Sequence, residues 1–166
     1  VDRSGQNCIL LYGGANHSIT KEFVDEVLDH FGRGDILLLQ NEINMMDYII
    51  DRAYEKEMMI ILNPSPYDGN LDACDFSKIT MFLMNEVEGW QEILKKLREL
   101  YPDARVVLTL GSEGSVYQDK KVVHRQEIFR VEAKDTTAAG DTFTGYFIAS
   151  MMEGIPVEQG LEMAAK

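Results

Sequence analysis

Along the chain, short apolar runs alternate with stretches in which apolar residues recur at helical spacing, and this alternation predicts a mainly parallel α/β sheet. Ile9-Leu10-Leu11-Tyr12 reads as a strand ended by Gly13-Gly14. Thr20 then caps a helix from Lys21 to Phe31, in which Phe23, Val24, Val27, Leu28 and Phe31 share one face. Ile36 to Leu39 is wholly apolar, the pattern of a strand buried on both sides. A helix from Met45 to Glu57 follows, then a strand from Met58 to Leu62, a Pro-rich loop and a strand from Ile79 to Met84. Trp90 to Leu100 reads as a helix and Val106 to Leu110 as another buried strand. Val116-Tyr117 and Val122-Val123 flank Asp119-Lys120-Lys121 as a hairpin, and Phe129 to Val131 reads as one more strand. The last predicted element is a helix from Thr142 to Met152, with Phe143, Phe147 and Met151 on one side.

The polar residues are placed where such a sheet binds ligands. Gln40-Asn41-Glu42, Asn63-Pro64, Asn85-Glu86 and Thr109-Leu110-Gly111 each end an apolar run, at the carboxyl edge where open α/β sheets form their sites. Pro64 and Gly111 are ordinary loop residues after any strand. Glu42, Asn85 and Glu88 are harder to dismiss, because acidic groups crowded at one edge repel unless a cation joins them.

Asp135-Thr136-Thr137-Ala138-Ala139-Gly140-Asp141 carries the most chemistry. Ala138, Ala139 and Gly140 have almost no side chain, so their backbone N–H groups can approach an anion, and the helix that follows directs its positive end at the same spot. Asp141 stands where it could take a proton from an acceptor hydroxyl. The plainer alternative is an acidic first-turn residue favoured by the helix dipole.

Composition sets the outer bounds. The 166 residues, 45% of them hydrophobic, suffice for one substantial core, so the chain is a single domain or part of one. A formal charge of −12 disfavours nucleic-acid backbones and anionic membranes as partners. Cys8 and Cys74 are isolated and His17, His30 and His124 lack ligand spacing, so neither a disulfide framework nor a zinc site is expected. No apolar run is long enough to span a membrane, and a reducing cytoplasm is the expected compartment.

The run from Asp135 to Asp141 resembles the signature of the ribokinase family of carbohydrate kinases, the phosphofructokinase-B family, Asp-Thr-x-(Gly/Ala)-Ala-Gly-Asp. Asn63-Pro64-Ser65-Pro66, Asn85-Glu86-Val87-Glu88 and Thr109-Leu110-Gly111-Ser112-Glu113-Gly114 extend the resemblance over nearly the whole chain, and the first of these, with Ala138-Ala139, is closer to ribokinases than to fructokinases or adenosine kinases. The resemblance implies a ribokinase-like three-layer α/β fold with a mainly parallel sheet, of which residues 1–166 are the catalytic and ATP-binding part of a single domain. It implies ATP-dependent phosphorylation of a sugar primary hydroxyl, ribose to ribose 5-phosphate above all. Asp141 is then the general base, and the amides of Ala138, Ala139 and Gly140 form the anion hole. Asn85, Thr109, Gly111, Ser112, Glu113, Gly114 and Gly140 would contact ATP, and Glu42 with Asp141 the sugar. Glu88 would help place Mg²⁺. Asp135 and the carbonyl of Thr137 match the positions of a monovalent cation such as K⁺, although Asp135 could equally cap the turn.

By the same resemblance the chain is expected to be a fragment. Relatives carry opening strands and a β lid before the position of Val1, and adenine-side residues after that of Lys166. The stretch from Glu88 to Val106 holds one helix where relatives have two. The fragment should expose one strand edge, and the full-length protein should be a homodimer. A non-catalytic sugar- or nucleotide-sensing relative, or a fructokinase or nucleoside kinase of the same family, remains the alternative; retention of Asp141 argues for turnover.

Overall fold

A computed structural model describes residues 12–65, 67, 69–85, 89–131 and 138–166. Among the described residues six strands form one sheet in chain order. β1 (Ile36–Gln40), β2 (Met59–Asn63), β3 (Met81–Asn85) and β4 (Arg105–Thr109) run parallel. β5 (Ser115–Gln118) and β6 (Val123–Gln126) turn back antiparallel as the expected hairpin. The helices are α1 (Lys21–Leu28), α2 (Met46–Glu55), α3 (Trp90–Leu100), α4 (Ala139–Met152) and α5 (Val157–Ala165).

The pleat sorts the apolar strands into two cores. Ile60 and Leu62 of β2 face one way, with Phe82, Val106 and Leu108, and are covered by Val24 and Leu28 of α1, Ile49, Ile50 and Ala53 of α2, and Leu94 of α3. Ile61 faces the other way with Met81, Leu83, Val107 and Tyr117, under Phe143 and Phe147 of α4 and Leu161 of α5. The result is three layers, helices on both faces of a largely parallel sheet, as the apolar runs predict. One helix connects β3 to β4 among the described residues, as the short segment there requires.

Three expectations need correction. First, α1 ends at Leu28, and only Val24 and Leu28 of the expected face are buried, whereas Phe23 is 54% and Phe31 47% exposed. The row of Val24 and Leu28 packs into the core, and Phe23 and Val27 each lie one residue back and so turn some 100° around the axis, away from it, while Phe31 falls beyond the end of the helix. Second, Phe129–Val131 forms no strand, and Val131 is 78% exposed. Arg130 stands between the two apolar residues, and three residues with a charge at their centre are too short a pattern to specify a strand. Third, α4 starts at Ala139, three residues earlier than expected. The strand expected at Ile9–Tyr12 lies outside the described residues except for Tyr12, which is in no strand.

α5 was not legible as an element. It packs on α4 through Gly160, where an added Cβ would sit 2.4 Å from the Ser150 hydroxyl, so the close approach requires the missing side chain. On the outer side of β1 no further strand pairs among the described residues, and Leu38 is 45% exposed there, which fits the expected open edge.

An ionic knot ties α1 to α2. The Asp25 carboxylate accepts from Arg52 Nε at 2.7 Å and from the Tyr48 hydroxyl at 2.8 Å, and the Arg52 bond above all holds Asp25 below the usual carboxylate range. A depressed carboxylate contributes stability that is present above its unfolded-state pKa and lost as the pH falls through its folded-state value. Asp25→Asn should therefore lower the urea midpoint at pH 7, and the gap to wild type should close as the pH falls below about 4, near the ordinary carboxylate pKa. A gap that persists undiminished at pH 2 would remove the ionic explanation.

Candidate active site

Four polar residues stand at the carboxyl ends of the parallel strands because the strand register puts them there. Gln40 of β1 is level with Asn63 of β2, and Asn85 of β3 with Thr109 of β4. Asn63 Oδ1 accepts from the Ser65 backbone N–H at 3.1 Å, and the Ser65 hydroxyl lies 3.2 Å from Asn85 Oδ1. The loop after β2 is thereby tied to the end of β3.

After β4 the chain makes a tight 3₁₀ turn, Gly111–Glu113, closed by the Leu110 N–H donating to the Gly114 carbonyl at 2.8 Å. Gly114 adopts φ +94°, ψ −136°, a conformation open essentially to glycine alone. A Cβ there would stand 2.0 Å from the Gln126 carbonyl oxygen, so this loop presses directly on the end of β6. The Glu113 carboxylate turns to Arg125, at 3.6 Å.

The third component is the first turn of α4. Ala138 takes the left-handed conformation, φ +60°, as N-cap, and no side chain caps the helix. Ala139, Gly140 and Asp141 are then the first three helical residues, whose N–H groups have no partner within the helix. The small residues thus belong to the helix itself rather than to a loop before it. This is compatible with anion binding, since the first-turn donors are free in either case and the dipole is strongest there. The aromatic pair beneath, Phe143 and Phe147, stacks at 6.2 Å between centroids and anchors α4 on the sheet.

These parts enclose a cleft of about 540 Å³. Its lining brings together Asn85, Thr109, Gly111, Gly114, Ala139 and Gly140, six of the residues expected to form the site. Five lining residues were not anticipated: Ser115, Ile128, Phe143, Ala164 and Ala165. Ala164 and Ala165 come from α5, whose small side chains give no chemical signal, and Phe143 reads from sequence only as core. Ser115 is buried, and its hydroxyl has no hydrogen-bond partner among the described residues.

Other expected residues stand apart from this lining. Ser112 and Glu113 are on the outer side of their turn, both exposed, and Ala138 is the cap. Asp141 is exposed at the other flank of the helix start, with Oδ1 3.5 Å from Gln40 Nε2. Glu42 lies exposed two residues beyond Gln40, its N–H donating to the Gln40 carbonyl at 2.9 Å. Glu88, Asp135 and Thr137, the expected metal-side residues, lie outside the described residues. Among the described residues no cluster of three or more His, Cys, Asp or Glu side chains could hold a metal ion. Nor is any described helix long and apolar enough to cross a membrane. Cys74, partly buried near Asp47 and Asp51, is a poor nucleophile, its thiol pushed up to about 11 chiefly by burial.

Comparison with known proteins agrees with this geometry. The family model described as "pfkB family carbohydrate kinase" matches residues 1–166. The ribokinase of Bacillus subtilis (strain 168) is 31% identical over 166 residues, covering 96% of this chain and 56% of that protein. Among solved structures, the ribokinase of Thermotoga maritima superposes with a TM-score of 0.74 at 30% identity, covering 99% of this chain and 60% of the other. The Arabidopsis thaliana ribokinase complexed with ribose and ATP does so with a TM-score of 0.73 at 26% identity, covering 96% and 57%. The chain therefore spans little more than half the length of the curated relatives it matches.

Proposed function

The chain belongs to the pfkB family of carbohydrate kinases, and from that membership we propose that it supplies the catalytic and triphosphate-binding elements of an ATP-dependent kinase acting on a sugar primary hydroxyl, with ribose as the substrate. The observation that carries the reading is the facing of the Gly111–Gly114 turn and Asn85 by the N-terminus of α4 across one cleft, with the Asp141 carboxylate in the same helical turn and outside the cleft lining. Glycine-rich backbone and a helix start suit phosphates, and a chain at −12 needs such local donors to hold a polyanion. The relatives named ribokinase, one of them complexed with ribose and ATP, support the choice of sugar.

Phosphoryl transfer passes through a loose transition state, so positioning and neutralisation do most of the work. On this reading the Ala138–Gly140 amides stabilise the transferring phosphate, and the Asp141 carboxylate takes the proton of the attacking hydroxyl. The products are a sugar phosphate and ADP. Asn85, with Glu88, suits Mg²⁺, which binds through few protein ligands and retains several waters, and which supplies charge neutralisation when bound. Asp135 and Thr137 are proposed for K⁺. Ser112 and Glu113 belong to the nucleotide loop, Thr109 to its base, and Glu42 to the sugar side. A cytoplasmic homodimer is the proposed setting.

The test is an ADP-release assay on the purified protein in its full natural length, with ribose, deoxyribose, fructose and nucleosides as acceptors. Ribose should give the highest kcat/KM, with ribose 5-phosphate as product. A protein that binds ribose and ATP yet releases no ADP with any acceptor would be a sensing relative instead.

A further inference from the structure

Gln40 was anticipated only as one of several polar residues at strand ends, yet it makes the side-chain contact to the carboxylate on which the proposed chemistry turns. It is the last residue of β1, fixed by its parallel pairing with Asn63, and alternation along the strand sends it to the same side as Ile36, which packs against the α4 and α5 core. Its Nε2 lies 3.5 Å from Asp141 Oδ1, across a sequence separation of 101 residues. This pair therefore links two rigid elements, a strand end and the first turn of a helix.

We propose that Gln40 is a positioning residue for Asp141: its amide N–H donates to Oδ1, orients the carboxylate and leaves Oδ2 to receive the proton of the acceptor hydroxyl. The inference rests on the reading of Asp141 as the base. The chemistry favours an amide at this place over other polar groups. A glutamine donor does not titrate, so it never competes for the proton being moved, and its oxygen is repelled by an ionised carboxylate, which fixes the amide with nitrogen inward. At 3.5 Å the contact is at the outer limit of a hydrogen bond, and catalytic hydrogen bonds tighten when substrate closes the site.

The experiment measures kcat, ADP affinity and thermal unfolding in the full-length protein for Gln40→Met and Gln40→Glu, each in the wild-type and the Asp141→Asn background. Gln40→Met should lower kcat about tenfold, the usual scale for losing a hydrogen bond to a charged group. Gln40→Glu differs from the native side chain by one atom group and should lower kcat more, by roughly a hundredfold, because it sets two carboxylates against each other. ADP affinity and the unfolding temperature should stay unchanged in Gln40→Glu, even should the Met variant be less stable. In the Asp141→Asn background neither change should lower the residual rate further, since residues that act as a unit are not additive. Single variants within twofold of wild-type kcat, or an equal fold loss in both backgrounds, would overturn the positioning role while leaving the base reading intact. An Asp141→Asn protein that keeps more than a tenth of the wild-type rate would instead overturn the base reading and this inference with it.

Discussion

Asp141→Asn in the full-length protein is expected to lower kcat by about 10²–10⁴-fold while ADP affinity stays within a factor of two. Asparagine keeps the shape and the N3 position in the first turn of α4, so the helix start and its free N–H groups persist. What disappears is the capacity to accept a proton. The cleft is lined by Ala139 and Gly140 and not by Asp141, which is why, on the proposed reading of the cleft as the nucleotide site, the loss should fall on the rate and spare the nucleotide. Stopped-flow or coupled-enzyme measurement of ADP release, beside calorimetric titration of ADP, separates the two quantities. A parallel drop in ADP affinity would place Asp141 with the phosphates rather than with the acceptor.

The second large effect is structural. Gly114→Ala is expected to cost about 3 kcal/mol, combining a conformation that costs 1–3 kcal/mol for other residues with a Cβ driven into backbone. The added atom would stand 2.0 Å from the Gln126 carbonyl oxygen, and the atoms it meets, in Gln126 and Glu127, are backbone rather than the far end of a flexible side chain that could yield. For a chain of this size that is a fall in unfolding temperature of roughly 6–12 °C. The damage should also reach function, since Gly114 both lines the cleft and closes the turn through the Leu110 hydrogen bond. Gly34→Ala provides the control. Gly34 has a similar positive φ, +98°, but nothing within 4 Å of its Cβ position, so its substitution reports backbone strain without the collision. Equal losses in the two variants would show that strain alone sets the cost at Gly114.

How much of this was readable in the sequence depended on whether a residue's role is local. The strands of the central sheet were legible because runs such as Met59–Leu62 and Val106–Leu108 are apolar on both faces, and only a strand covered by helices on both sides demands that. Ala139 and Gly140 stood out because backbone approach to an anion needs small residues at one place in the chain, Gly111 and Gly114 through the family resemblance alone, and the four line one cleft. The buried face of α1 was misjudged since five apolar residues in eleven span more of the helix than the sheet covers, and which row turns inward is a tertiary decision. Phe129–Val131 shows the same limit in reverse, two apolar residues on either side of Arg130 that join no strand. Ala164, Ala165 and the contact between Gln40 and Asp141 could not be read at all. Their part in the site comes from a helix and a strand end folding together over long stretches of chain.

That Asp141 lies within the first turn of α4, rather than on a loop leading to it, bears on which hydroxyl of a polyol reacts. On the proposed reading, the carboxylate and the Ala139 and Gly140 amides belong to one stiff helical turn, so the gap between proton acceptor and phosphate cradle is fixed and cannot stretch to suit a differently placed oxygen. A secondary hydroxyl even an ångström off that line would forfeit most of the rate enhancement due to alignment, typically about 10²-fold for a displacement of this size. Regiochemistry would then be a property of helix geometry, and the pocket that holds the sugar would need only to present its ring, because the helix itself decides which carbon leaves with the phosphate.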